Sequence, residues 1–213
     1  MMKRTLLFVT AFAVFALVAG AAIAGTTLAQ KGKLEHIEAQ AKGDSKVVAI
    51  VQGKDLTQGA VRKPTQLFRA HNKSLTEDEA TKLMIVQVVD NLIVAAEVER
   101  RKLTPSDVEV RKYMAPHKEA CLGPHGADCR ESIEDRGYSV KDFWDIAFDD
   151  YKSSLGSIKL TQAVFAEQSL TNADNKERVD ASEDLKLKLR REAKIEWKDD
   201  NIRRLYQQAL TED

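Results

Sequence analysis

The chain has 213 residues, 33 of them basic and 33 acidic, so its formal net charge is zero. That balance offers no basic face for a phosphate backbone and argues against nucleic acid as a partner. Charged residues make up 31% and aromatics 6%, with four prolines, which fits a helix-rich soluble protein and not a β-sandwich.

The chain opens with Lys3 and Arg4, and no charge follows from Thr5 to Ala29. A short positive region before an apolar run is a secretory signal or a signal anchor. Small residues ending at Ala24 and at Ala29 both suit cleavage. The run is longer than the roughly 7–15 residues of a typical signal core and reaches the roughly 20 needed to span a bilayer. A cleaved signal and a retained single membrane anchor therefore both stand. Either one exports the rest of the chain, to the periplasm or the cell surface. Residues 30–46 are polar and mixed in charge, and read as a linker.

Val47–Val51 is a β-branched run, hence a strand. The turn "QGKD" follows, with Gly53 at positive φ. A short helix is expected from near Thr57, interrupted at Pro64 and weakened by Gly59. The strongest element begins at Thr76. Thr76 with Glu79 forms a capping box, acids fill the first turn, and Arg100, Arg101 and Lys102 the last. Between them Leu83 to Val98 is apolar nearly all round, so this is the central core helix. The next helix is expected with Thr104 as cap, Pro105 first in the helix, and Asp107 closing a second box; it runs to about Lys118.

"ESIEDRG" is a short helix stopped at Gly137. Ser139 caps one long helix over residues 140–168. Val140, Phe143, Trp144, Ala147, Phe148, Tyr151, Leu155 and Ile158 make one stripe along it at helical spacing. "SLTNADNKERVDAS" reads as a loop, with Ser182 capping a further helix. Residues 194–197, "KIEW", form a second strand, and residues 199–213 a polar, helical tail. The two strands bracket the helices and are expected to pair in one small sheet, in a direction the sequence leaves open. The expected fold is mainly α, with that small sheet formed by strands near the N- and C-terminal ends.

Both cysteines lie in "HKEACLGPHGADC", where His117, Cys121, His125 and Cys129 recur every four residues. Gly123, Pro124 and Gly126 break any helix through the stretch. Seven residues separate the cysteines, too many for a close zinc pair or a CxxC redox motif. Export favours a Cys121–Cys129 disulfide, which staples two helices together. Zinc and free thiols are the alternatives. His117 and His125 are then exposed loop residues. No catalytic motif occurs, so no enzyme activity and no cofactor is expected.

The order of elements resembles a family. "VVAIVQGKDLTQGAV" looks like the opening strand and turn of the SurA N-terminal chaperone domain. "LMIVQVVDNLIVAAEVERRKLTPSDVEVRKYM" is similar to its core helix and restart. "DRGYSVKDFWDIAFDDYKSSLGSIKL" resembles its later helix pair, and "LKLKLRREAKIEW" its closing strand. The resemblance spans residues 47–198. It implies an extracytoplasmic chaperone that holds unfolded or extended polypeptide clients. Relatives often carry a parvulin prolyl isomerase domain; here the space between Gln168 and Ser182 holds only a short loop, so that domain is not expected. Client-binding candidates are the large side chains of the stripe, Phe143, Trp144, Phe148, Tyr151 and Leu155. The alternative reading of the same stripe is ordinary core. The alternative function is a membrane-anchored scaffold or assembly factor with one dedicated protein partner.

Overall fold

The structure is a computed structural model and describes residues 44–135, 138–171 and 173–212. The expected signal or anchor at 1–29, the linker up to residue 43 and the cap at Gly137 lie outside the described residues. Among the described residues no helix is long and apolar enough to cross a membrane. The chain is mainly α-helical with one small antiparallel sheet of order β2-β1-β3. The stretch 47–198, expected as one domain, divides into two compact units. One is 104–158; the other takes 44–103 and 159–212.

In the second of these, β1 (Val47–Val51) is the central strand, with β2 (Lys54–Thr57) on one side and β3 (Ile195–Trp197) on the other. The pairing of Val47–Val51 with the last strand is therefore as expected, and it is antiparallel: Ala49 faces Trp197 and Val51 faces Ile195. β2 was not expected. Gln52 and Gly53 both adopt positive φ, 51° and 80°, between the partners Val51 and Lys54. Two left-handed residues make the tight hairpin turn whose twist matches its strands. Thus only Gln52 and Gly53 of "QGKD" form the loop, and Lys54 and Asp55 already belong to the returning strand.

Helix α1 (Gln58–His71) starts on Thr57, whose hydroxyl accepts from the Ala60 amide at 3.2 Å. Pro64 does not interrupt it. Val61 and Thr65 are buried on its inner face, and that packing outweighs the local cost of proline. α2 (Glu77–Arg100) has the expected capping box, and Ile85, Val89, Ile93 and Val98 lie in the core. Leu83 is an exception to its apolar envelope and faces solvent. The helix stops without glycine. Lys102 takes φ 57°, its amide bonds Glu99 O at 3.0 Å, and the Leu103 amide bonds Val98 O at 2.9 Å. These are the paired bonds of a Schellman ending.

Helix α7 (Asn175–Glu192) begins eight residues earlier than expected, on an Asp174–Glu177 capping box in place of a Ser182 cap. Ser182 is not a cap. It is buried inside the helix and donates to the Arg178 carbonyl at 2.8 Å. Arg190 holds Asp90 of α2 with two bonds, 2.8 and 2.6 Å. The terminal residues form the expected helix, and it packs on the rest of this unit. α8 (Asp200–Glu212) packs on α2, burying Leu205 and Tyr206, and the Tyr206 ring lies 5.1 Å from Trp197. Asp199 caps it and also meets Lys46 at 2.8 Å, joining the two ends of this unit.

In the 104–158 unit, α3 (Asp107–Leu122) is capped by Ser106, not Thr104. The Ser106 hydroxyl accepts from the Glu109 amide, and the Glu109 carboxylate accepts from the Ser106 amide at 2.8 Å. Glutamate has the reach to close a capping box at this position; aspartate is one methylene shorter. α3 runs through Pro116 to Leu122, four residues past the expected end. α4 (Ala127–Asp135) follows. The expected single helix after Ser139 is two, α5 (Val140–Ile146) and α6 (Phe148–Glu167), divided at Ala147 with ψ −9°.

Candidate functional site

The five residues proposed from sequence as client contacts all lie in the 104–158 unit, in one cluster. Trp144 is its buried centre, with Val110, Met114, Cys121 and Ile133; Phe143, Phe148, Tyr151 and Leu155 pack against these and stay partly exposed. The stripe is therefore core at Trp144 and surface at its edges. It runs unbroken across the α5–α6 division because the helical bonds spanning that point persist. The Ala147 amide bonds Phe143 O at 2.8 Å, and the Tyr151 amide bonds Ala147 O at 3.0 Å.

The rings pack at angles. Phe143 meets Trp144 edge-on at 5.2 Å, and Tyr151 lies 5.8 Å from Tyr113 and 5.5 Å from His117. Such tilted pairs satisfy the ring quadrupoles. Burial pushes the Tyr113 and Tyr151 hydroxyls above the usual phenol range. Phe148 carries two cations, Arg111 at 5.2 Å and Lys152 at 5.9 Å from its centroid. Lys152 also bonds Asp107 at 2.8 Å, which holds that carboxyl below the ordinary aspartate value. The Trp144 indole N–H is buried and has no hydrogen-bond partner among the described residues. Val108, Leu122 and Ile146 of the same unit are more than half exposed.

Tyr113 and His117 meet this cluster through the Tyr151 ring and were not among the expected contacts. His117 is not a loop residue. It sits within α3, half-buried, with Nδ1 3.2 Å from the Tyr113 carbonyl oxygen. The signal was present in the spacing Val110, Tyr113, His117, one face of a helix already expected to reach Lys118; only Cys121, which continues that face, lies beyond the expected end. His125 is exposed in the turn between α3 and α4, as expected.

Cys121 and Cys129 are joined in a disulfide, with Cα atoms 5.4 Å apart. The bridge ties the last turn of α3 to the first turn of α4. Arg130 reinforces the same junction by donating to the Cys121 carbonyl at 2.6 Å and the Gly123 carbonyl at 2.9 Å, two acceptors left over at a helix end. Among the described residues no group of three or more His, Cys, Asp or Glu side chains is placed to hold a metal ion.

Compared with protein-family models, curated proteins and solved structures, the chain matches none.

Proposed function

We propose that the chain is an extracytoplasmic holdase that binds unfolded or extended polypeptides through the aromatic edge of the 104–158 unit. The observation that carries this reading is the partial exposure of Phe143, Phe148, Tyr151 and Leu155 around a buried Trp144. Large rings fixed by their neighbours offer contact area at low entropic cost, and the cations over Phe148 keep the rim soluble. Exposed Val108, Leu122 and Ile146 add apolar surface on the same unit. The resemblance to SurA-type chaperone domains supports the same reading. The Cys121–Cys129 bridge supports export to an oxidising compartment.

The test is suppression of aggregation of a denatured secreted protein by the full chain, with a photo-crosslinker at Phe148 and, as control, at exposed Asp180. Suppression at stoichiometric ratios, with client crosslinks from position 148 and not from 180, is the expected result. Absence of suppression rejects the holdase. Recovery of a single stoichiometric protein in place of varied clients would assign the chain to the membrane-anchored scaffold class.

A further inference from the structure

The sheet has an open side. Around β1 the bonds alternate: Val48 O accepts from the Lys198 amide at 2.8 Å, and the Gln52 amide donates to Lys194 O at 2.9 Å. Ile50 and Glu196, two residues from each, are the bonded pair that the same alternation places between them. In an antiparallel ladder the residues between bonded pairs turn their own N–H and C=O the other way. Ile195 and Trp197 therefore direct both backbone groups to the outer side of β3. Their side chains pack against the core, so the outward groups are backbone alone. Among the described residues nothing pairs with that side.

We propose that an extended client segment adds to the outer edge of β3 as a fourth strand. This rests on the holdase reading and adds to the aromatic edge a second client contact, made through backbone, on the unit of residues 44–103 and 159–212. Donors and acceptors alternating along a strand fit an extended polypeptide backbone, and such bonds ignore the client's sequence. That suits a protein holding varied clients. A second copy is the poorer occupant. The antiparallel register that pairs all of β3 with itself sets Glu196 opposite Glu196 and Lys194 opposite Lys198, all exposed. Like charges directly opposite one another oppose pairing.

The register supplies the test. Ile195→Pro removes an outward donor without touching a β1–β3 bond, whereas Ile195→Ala removes the side chain and keeps the donor. Binding of an eight-residue alternating Val/Thr peptide to the full chain is measured for both, with circular dichroism to verify folding. Ile195→Pro is expected to weaken binding about tenfold or more, and Ile195→Ala to stay within about threefold. Should Ile195→Pro misfold, the wild-type chain decides: the same peptide N-methylated at every residue is expected not to bind. Equal binding of the two peptides overturns the proposal. So does a dimer of the free chain that peptide cannot compete apart. If the chain suppresses aggregation while the peptides bind equally, only the edge assignment fails. If it does not suppress aggregation, the holdase reading fails with it.

Discussion

Gly126→Ala should be among the most damaging single-methyl additions to the 104–158 unit. A Cβ at residue 126 would lie 2.0 Å from the Cys121 carbonyl oxygen and 2.5 Å from its carbonyl carbon. Ordinary contact begins near 3.4 Å, so the backbone must give by more than an ångström. Both obstructing atoms are main chain, so no rotamer change relieves them. The disulfide and Arg130 fix the same carbonyl from two further directions. Overpacking against atoms that cannot yield costs about 1–3 kcal/mol or more. In a unit of this size each kcal/mol lowers the melting temperature by about 4–8 °C. Thermal unfolding followed by near-ultraviolet circular dichroism, in a Trp197→Phe background so that Trp144 is the sole tryptophan, is the assay. A double-mutant cycle with Cys129→Ser should show positive coupling, since cutting the bridge lets the junction open. Gly126→Ala within about 0.5 kcal/mol of the parent would refute the packing argument.

Two further predictions follow from local chemistry. Ser106→Ala should cost about 1 kcal/mol and Thr104→Ala less than half of that, because only Ser106 caps α3; urea unfolding compares them, and the reverse order would place the cap wrongly. Glu97, bonded first by Arg100 and also by Arg101, has its carboxyl lowered from 4.5 to about 2. A depressed folded-state value gives stability that is fully present above pH 4.5 and lost as pH falls from there through about 2. Exposure of Arg100 to solvent screens the pair, so Glu97→Gln should remove about 1–2 kcal/mol at neutral pH. The difference should be mostly gone by pH 2 and vanish below it in urea titrations, and a difference that stays at its neutral-pH size there would contradict the ion-pair account.

The fold was legible wherever one residue type has one use. Val47–Val51, the Thr76–Glu79 box and the strand ending at Trp197 stand where the sequence places them. β2 was hidden because "KDLT" is short and carries a single buried residue, Leu56; its strand character comes from the turn before it. Only the first two turns of α7 look like loop in the sequence, because they have almost no apolar period; the rest reads as helix. The helix is held by its cap and by the Arg190–Asp90 pair, whose partners lie 100 residues apart. The α3 start was misplaced because "TPSDVE" contains two overlapping cap patterns, and only the second has glutamate at the closing position. In the candidate site the stripe itself was legible. Its division into a buried Trp144 and partly exposed neighbours was not, because spacing names a helix face but not how deeply that face is covered.

The 104–158 unit also explains why a disulfide belongs where it does. At about 55 residues a hydrophobic core buries too little surface to leave much margin, and small units commonly add a covalent staple. Keeping Phe143, Phe148, Tyr151 and Leu155 partly exposed forgoes some of that burial as well. Closing the short loop from Cys121 to Cys129 contributes about 2–3 kcal/mol on the chain-entropy model, a large share of what such a unit holds. Reduction should therefore lower amide-exchange protection in α3 and α4 by about 30- to 150-fold, the same free energy expressed as an opening constant. Arg130 stays bonded to the Cys121 and Gly123 carbonyls, so the junction should keep its form while opening more often. Protection unchanged on reduction would mean that the aromatic core alone stabilises the unit, and that the bridge is incidental to it.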